Sequence, residues 1–356
     1  MKRLIILTDA ESKFLVSMAD FKNYTSMDVD KVKTFFLVKD YSVSVYKFSD
    51  FDWSEDYHGV YILYQTSEIQ GSFYKRYIED LVYFLEKQGA IALPKYEFLK
   101  AHHDKIYMEL IRSKFVDESL KTIKSMCYGS WIDAQNYNFS FPVVIKQISS
   151  SGSDGVFLAK NRKEYIKCIK KAGNVLIAKS LKDLCIDYLK KAVKKTIKYF
   201  VPSKSKYLTY ETAPMSTSII VQTFIEGLKG DYKVLIYGRK YYTLYRKNRD
   251  NDFRASGSGK FFVVPEVEQE GLLEFSKRIT CEIDFPIIGI DIGFNGKEYH
   301  LLEFQTIHLG PYTLQSSLFW HEFHDGKWIK YEGVSDLEEV FSEAINDYIN
   351  MKYQKK

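Results

Sequence analysis

No stretch of this 356-residue chain approaches the ~18 consecutive apolar residues that a membrane-spanning helix needs. The opening MKRLIILTDAES passes directly into a strand-like pattern, and its apolar core is too short for a secretory leader, so neither a span nor a signal peptide is expected. Cysteine is scarce, and Cys127, Cys168, Cys185 and Cys281 lack metal-ligand spacing, which fits a reducing, cytoplasmic setting. The seven histidines form no zinc signature, and His102-His103 read as polar capping at a helix start. Internal repeats, low-complexity tracts and recognisable nucleic-acid-binding modules are all missing, so nucleic acid is not an expected partner. What the chain does have is 46% hydrophobic residues with 28 Tyr and 25 Phe, enough for sizeable cores in two or three domains.

The net charge of +5 hides a strong asymmetry. Between Lys160 and Lys206 stand 15 Lys or Arg against 3 Asp or Glu, so the remainder of the chain is net acidic. Within that segment Ile186, Leu189, Val193, Ile197 and Phe200 recur at helical spacing, which predicts an amphipathic helix with lysines opposite an apolar stripe. Its basic face reads as a solvated surface, or as a docking face for an acidic substrate, a polyanionic glycan or nucleic acid, the last opposed by the lack of a binding module.

Three segments are expected, 1–98, 99–220 and 221–356. In the first, strands at Leu4–Leu7, Val43–Tyr46 and Val60–Tyr64 alternate with helices near Val29–Val38 and Phe73–Lys87, which suggests an open parallel sheet. Ile78, Leu81, Val82 and Leu85 line one helix face, and Gly89 follows as a stop signal. A loop is expected over Val201–Ser218 inside the middle segment, and an acidic terminal helix over Leu337–Met351.

The segment GIDIGFNGKEYHLLEFQ, 289 to 305, places Asp291, Glu303 and Gln305 on two strands joined at Asn295-Gly296. Two carboxylates and an amide oxygen suit a hard cation such as Mg²⁺, with Mn²⁺ as the substitute, and Mg²⁺ commonly shares its shell with nucleotide phosphates. Glu303 and Gln305 share a strand face by period two, but a strict two-residue turn would send Glu303 to the face opposite Asp291. The chemistry therefore requires a bulge or an odd-length loop, and a three-residue loop over Asn295–Lys297 is the expected solution.

Further candidates surround this hairpin. In FPVVIKQISSSGSDGVFLAK, Lys146 ends a buried strand, and the small-residue loop from Ser149 to Gly155, Ser151 included, can bring backbone N–H groups against phosphate, although it lacks the Walker ending. A strand at Ile219–Gln222 leads through a connector, with Phe224 and Ile225, to a hairpin of Asp231–Tyr237 and Lys240–Arg246 turning at Gly238-Arg239. Such a connector can present backbone to an adenine, and Asp231 can accept from ribose hydroxyls. Arg246, Lys247, Arg249, Arg254 and Lys260 then concentrate donors suited to phosphate or carboxylate.

Taken in order, the helix-opening Asp-Lys of HHDKIYMEL, Lys146, the small-residue loop, VQTFIEG, Asp231, Phe253-Arg254 and the final D with E-x-Q resemble the ATP-grasp superfamily, in the manner of the ligases that add glutamate to ribosomal protein. The resemblance covers about 100 to 320 and implies an α/β fold, with α+β grasp lobes after an N-terminal open parallel-sheet domain. It implies that Lys105 and Lys146 contact ATP phosphates, that Gln222, Phe224 and Ile225 flank adenine, and that Asp231 meets the ribose, with Lys233 nearby. Arg246 and Arg254 would face the γ-phosphate and an acyl phosphate, while Asp291, Glu303 and Gln305 would hold Mg²⁺. Three positions depart from the family pattern: Gln305 stands for Asn, Lys233 for Arg and Ser256 for Asn.

The function implied is an ATP-dependent carboxylate–amine ligase acting on a small-molecule, glycan or peptide carboxylate and an amine. The stretch YQTSEIQGSFYKRYIEDL also resembles ATP-grasp proteins associated with surface-polysaccharide genes. The alternatives are a small-molecule kinase on the same scaffold and a non-catalytic nucleotide-binding protein. Self-association is compatible with each.

Overall fold

The structure, a computed structural model, describes the chain except for 1, 17–24, 53, 68–70, 137–139, 149–154, 174–188, 190–192, 194–216, 250, 251, 255–258 and 354–356. The chain divides into two compact units, Met1–Lys124 with Ile225–Lys356, and Ser125–Phe224.

The first unit begins with β1 (Lys2–Thr8), the short pair β2 (Phe14–Val16) and β3 (Thr25–Met27), α1 (Val29–Val38), β4 (Tyr41–Lys47), β5 (Tyr61–Tyr64), α2 (Gly71–Lys87), β6 (Ile91–Leu93), α3 (Tyr96–His103) and α4 (Lys105–Arg112). β4, β1, β5 and β6 pair in that order, all parallel. The expected open parallel sheet is present. Parallel strands are covered on both faces, which is why β1 and β5 read as continuous apolar runs rather than alternating ones. Leu4 and Ile6 enter one core, while Ile5 and Leu7 enter another with Ile78, Leu81, Val82 and Leu85 of α2. Gly89 ends α2 with φ +85°, a conformation that favours glycine.

His102 and His103 do not cap a following helix; they close α3. The cap of α4 is Asp104, whose side chain accepts from Ile106 N–H at 2.8 Å. His103 is instead buried between α2 and the segment that follows β5, with Nδ1 2.7 Å from Glu79 Oε1 and Nε2 2.6 Å from Thr66 Oγ1. Glu79 also accepts from Lys100 Nζ at 2.8 Å. Burial lowers the His103 pKa to about 4, so the ring is neutral near pH 7, donating to Glu79 and accepting from Thr66.

The second unit holds β7 (Ser125–Tyr128), α5 (Trp131–Ala134), β8 (Val143–Gln147), β9 (Val156–Ala159), α6 (Arg162–Gly173) and β10 (Ile219–Thr223). The sheet order is β7-β10-β8-β9, all antiparallel. Val143, Ile145, Ile219 and Val221 pack with Tyr165, Ile169 and Ala172 of α6. Period two therefore sends Val144, Lys146, Ile220 and Gln222 to the other face. The small-residue loop from Ser149 through Asp154, the loop expected over Val201–Ser218 up to Met215-Ser216, and Cys185 lie outside the described residues. Of the Lys-rich helix only Leu189 and Val193 are described. Both are helical, yet 62% and 56% exposed, so these two positions of the expected apolar stripe are not buried.

The chain returns to the first unit with β11 (Gly230–Tyr237), β12 (Lys240–Lys247), β13 (Phe261–Phe262), α7 (Glu266–Glu282), β14 (Ile287–Phe294), β15 (Tyr299–Gln305), α8 (Tyr312–Gln315), β16 (Phe319–His324), β17 (Lys327–Glu332) and α9 (Leu337–Tyr353). The sheet runs β15-β14-β11-β12-β16-β17, antiparallel throughout, with β13 added to β12. The two-residue turn at Gly238-Arg239 is as expected, with Tyr237 paired to Lys240 and Gly238 at φ +60°. Ile288, Ile290 and Ile292 share a core with Leu272, Phe275 and Ile279 of α7. Gly289, Asp291 and Gly293 consequently face the other way. Among the described residues no helix is long and apolar enough to cross a membrane.

Candidate active site

The face opposite α7 carries Asp231, Lys233, Arg246, Asp291, Glu303 and Gln305, and strand register fixes their order. Arg246 of β12 pairs with Asp231 of β11, which pairs with Gly293. One step along, Lys233 pairs with Asp291 of β14, which pairs with Glu303 of β15; after it, Leu235 pairs with Gly289 and Gly289 with Gln305. All three expected metal ligands thus share one face.

The device that aligns them differs from the expected loop. β14 and β15 are joined by four residues, 295–298, with Gly296 at φ +91°. Counting back from the Phe294–Tyr299 pair, an unbroken ladder would set Asp291 opposite Leu302 and turn Glu303 away. A bulge intervenes: Ile292 pairs with Leu301, but Asp291 pairs with Glu303. The sequence requirement was right, and the bulge rather than a three-residue turn meets it. The flanking glycines serve close approach, since a Cβ on Gly289 would lie 2.8 Å from Leu309 Cδ2 and 3.5 Å from Gln305 Cγ.

Two carboxylates directly opposite each other on a sheet repel unless cations offset them. Here three do. Arg246 donates from Nε to Asp231 Oδ1 at 2.6 Å and from Nη2 to Asp231 Oδ2 at 3.0 Å, and the same Nη2 stands 2.8 Å from Asp291 Oδ2. Lys233 Nζ lies 3.0 Å from Asp291 Oδ1 as an ion pair. Lys105 Nζ donates to Glu303 Oε2 at 3.3 Å. Burial disfavours a charged Asp291, but Arg246 and then Lys233 outweigh it and hold its carboxyl well below the usual range. Burial pushes the Asp231 carboxyl up against the pull of Arg246, with the Asp291 charge adding to the rise. The guanidinium of Arg246 is kept firmly protonated because its two carboxylates overcome burial.

The oxygen donors of Asp291, Glu303 and Gln305 fit a hard divalent cation in chemistry and in shared face. Among the described residues, no group of three or more His, Cys, Asp or Glu side chains is set for a metal.

Arg254 is held within its own segment by Asp252, with Nε 2.9 and 3.0 Å from the two carboxylate oxygens. In the other unit, Lys146 pairs with Ile220 and Gln222 with Val144, so both side chains share the face away from α6. Gln222 is 2% exposed and donates to Ser125 Oγ at 2.8 Å. Phe224 and Ile225 follow β10 where the two units divide, both half-buried. Ser151 and Ser256 lie outside the described residues.

Sequence reasoning missed the Arg246–Asp291 link and the Glu79–His103–Thr66 chain. The first had a signal in Gly-x-Asp-x-Gly, where glycines at period two mark a crowded face around Asp291. Glu79, next to Ile78 and two before Leu81 on an apolar helix face, marked a buried carboxylate that needs partners.

A family model described as the RimK-like ATP-grasp domain matches residues 127–205. No curated protein matches the chain. Among solved structures it is similar to a D-alanine–D-alanine ligase from Bacillus anthracis, at 12% identity over 98% of this chain and 97% of that one, with a TM-score of 0.46. A Chryseobacterium gregarium RiPP-associated ATP-grasp ligase, solved with ADP and a leader and core peptide, is also 12% identical over 98% and 97%, with a TM-score of 0.48. A RimK domain protein from Sphaerobacter thermophilus is 9% identical over 85% and 90%, at 0.43. The chain resembles the ATP-grasp superfamily: residues 127–205 match its RimK-like domain, within a mixed α/β fold that opens with a parallel sheet.

Proposed function

We propose that this protein is an ATP- and Mg²⁺-dependent carboxylate–amine ligase. The observation that carries the reading is the cross-strand Asp291–Glu303 pair, ringed on the same face by Lys105, Lys233 and Arg246. Oxygen donors for a divalent cation stand beside donors for polyphosphate, which is the charge arrangement phosphoryl transfer requires. The RimK-like match supports the nucleotide.

In the reaction, a substrate carboxylate oxygen attacks the γ-phosphorus and ADP leaves, giving an acyl phosphate. An amine then attacks the acyl carbon, inorganic phosphate departs, and the nitrogen gives up a proton to leave an amide. Bound between Asp291, Glu303 and Gln305, Mg²⁺, or Mn²⁺ in its place, would neutralise charge on the phosphates. Lys105 and Lys146 would contact phosphate, and Phe224 and Ile225 would offer backbone to adenine beside Gln222. Arg254 would meet the transferring group, and Lys233 the phosphates. Arg246 holds Asp231 and Asp291 in place through its planar fork. The carboxylate donor is a small molecule, a glycan acid or a peptide, acting in the cytoplasm.

The test is phosphate release from Mg·ATP over a panel of carboxylates, with hydroxylamine as the amine. Carboxylate-dependent phosphate with a matching hydroxamate is the expected result. A stable phosphorylated product without phosphate release would assign a kinase instead, and no turnover across the panel would favour a nucleotide-binding role.

A further inference from the structure

The acidic pair at this site is neutralised from within the chain. Asp291 has Lys233 Nζ at 3.0 Å on one oxygen and Arg246 Nη2 at 2.8 Å on the other, while Glu303 has Lys105 Nζ at 3.3 Å. The Lys233 and Lys105 side chains are only 13% and 16% exposed, so solvent and salt screen these pairs weakly. Counting Asp231, three carboxylates face three cations. A divalent cation arriving alone must therefore sit beside fixed positive charges or displace them from partly buried partners, and both are unfavourable. Polyphosphate changes that balance. Its oxygens are alternative acceptors for the same ammonium groups, and each lysine that turns to phosphate leaves carboxylate oxygen for the metal.

The three cations are not equivalent. Arg246 grips Asp231 with two donors and touches Asp291 with one of them, a rigid fork that cannot swing away without uncovering a buried carboxylate. Each lysine meets its carboxylate at one point, on a flexible four-carbon stem.

We propose that Lys233 and Lys105 are exchangeable counter-ions, which pass from Asp291 and Glu303 to nucleotide phosphate and so make divalent metal and nucleotide bind with strong positive coupling. Metal alone binds poorly because the lysines occupy its ligands. Linkage makes the effect reciprocal: nucleotide without metal is weakened by the same factor. The inference rests on the ligase reading in one respect, that Asp291 and Glu303 are the metal ligands.

The test is Mn²⁺ binding to the full chain by electron paramagnetic resonance, alone and with saturating non-hydrolysable ATP analogue, the analogue's own Mn²⁺ affinity in solution being subtracted. Wild-type affinity for Mn²⁺ should rise by about 5- to 150-fold with the analogue. Lys233→Met, and separately Lys105→Met, should bind Mn²⁺ alone at least about fivefold more tightly than wild type and show less coupling. This gain on deleting a side chain is not expected of a merely structural lysine. Two variants guard against one failing to fold, which circular dichroism detects. If both fold and bind Mn²⁺ alone no better than wild type, the exchange is overturned. Asp291→Asn and Glu303→Gln separate the two readings: loss of analogue-dependent Mn²⁺ binding in them keeps the metal assignment whatever the lysines do. Unchanged binding in both removes the metal assignment and the inference with it.

Discussion

At the scale of single residues, the site is governed by charges whose burial differs. Glu303 is 35% exposed at its side chain and meets one lysine, whereas Arg246 is 14% exposed and ties two aspartates together. Glu303→Ala should therefore abolish Mg²⁺-dependent phosphate release while the thermal melt stays close to wild type, because no packed core group is removed. Activity equal to wild type would take Glu303 out of the metal set. Arg246→Met acts in the opposite sense. It leaves Asp231 and Asp291 buried side by side without their clamp, and urea unfolding should show a loss of about 3–5 kcal/mol. A loss under about 1 kcal/mol would mean that the pair relaxes into solvent on its own.

The element that matters most is the β14–β15 hairpin. Its strands were legible because Ile288, Ile290 and Ile292 alternate with Gly289, Asp291 and Gly293, a period-two pattern with one apolar face. Its bulge was not. Whether an extra residue is absorbed in a loop or in a ladder depends on packing at both ends. Here the Leu302 side chain, at the point where the register shifts, lies 3.4 Å from where a Cβ on Gly293 would stand. Gly289→Ala probes this packing. The new methyl would meet Leu309 at 2.8 Å, costing about 1–3 kcal/mol of stability by urea unfolding. A methyl accepted without loss of stability would show that Leu309 swings clear.

At the scale of the whole molecule, three buried histidines, His103, His300 and His321, couple folding to pH, each with its pKa lowered by burial. His103 and His321 are buried, and burial lowers each pKa to about 4 from an ordinary value of 6.5. Between those values the unfolded chain binds a proton that the native protein refuses, so stability rises with pH across the window and is lost as pH falls from about 6.5 towards about 4. For His103 the full window is worth about 3 kcal/mol. Denaturant midpoints at pH 7 and pH 5 measure it, with the lower midpoint at pH 5. His103→Gln should flatten that dependence, and an unchanged slope would remove His103 as a source.

The sequence by itself determined the elements and the residue types at the site. Helix α1 falls on Val29–Val38 as its apolar spacing requires, and Lys105 opens a helix behind Asp104. These are local consequences of geometry that repeats every two or 3.6 residues. Only the tertiary structure decided which charges meet. Arg246 reaches Asp291 across 45 positions of sequence, Lys105 reaches Glu303 across 198, and His103 lies between Glu79 and Thr66 rather than capping a helix. No periodicity encodes such pairs, because a buried charge takes whatever partner the packing of distant elements brings within about 3 Å, and that packing is set by the whole core at once.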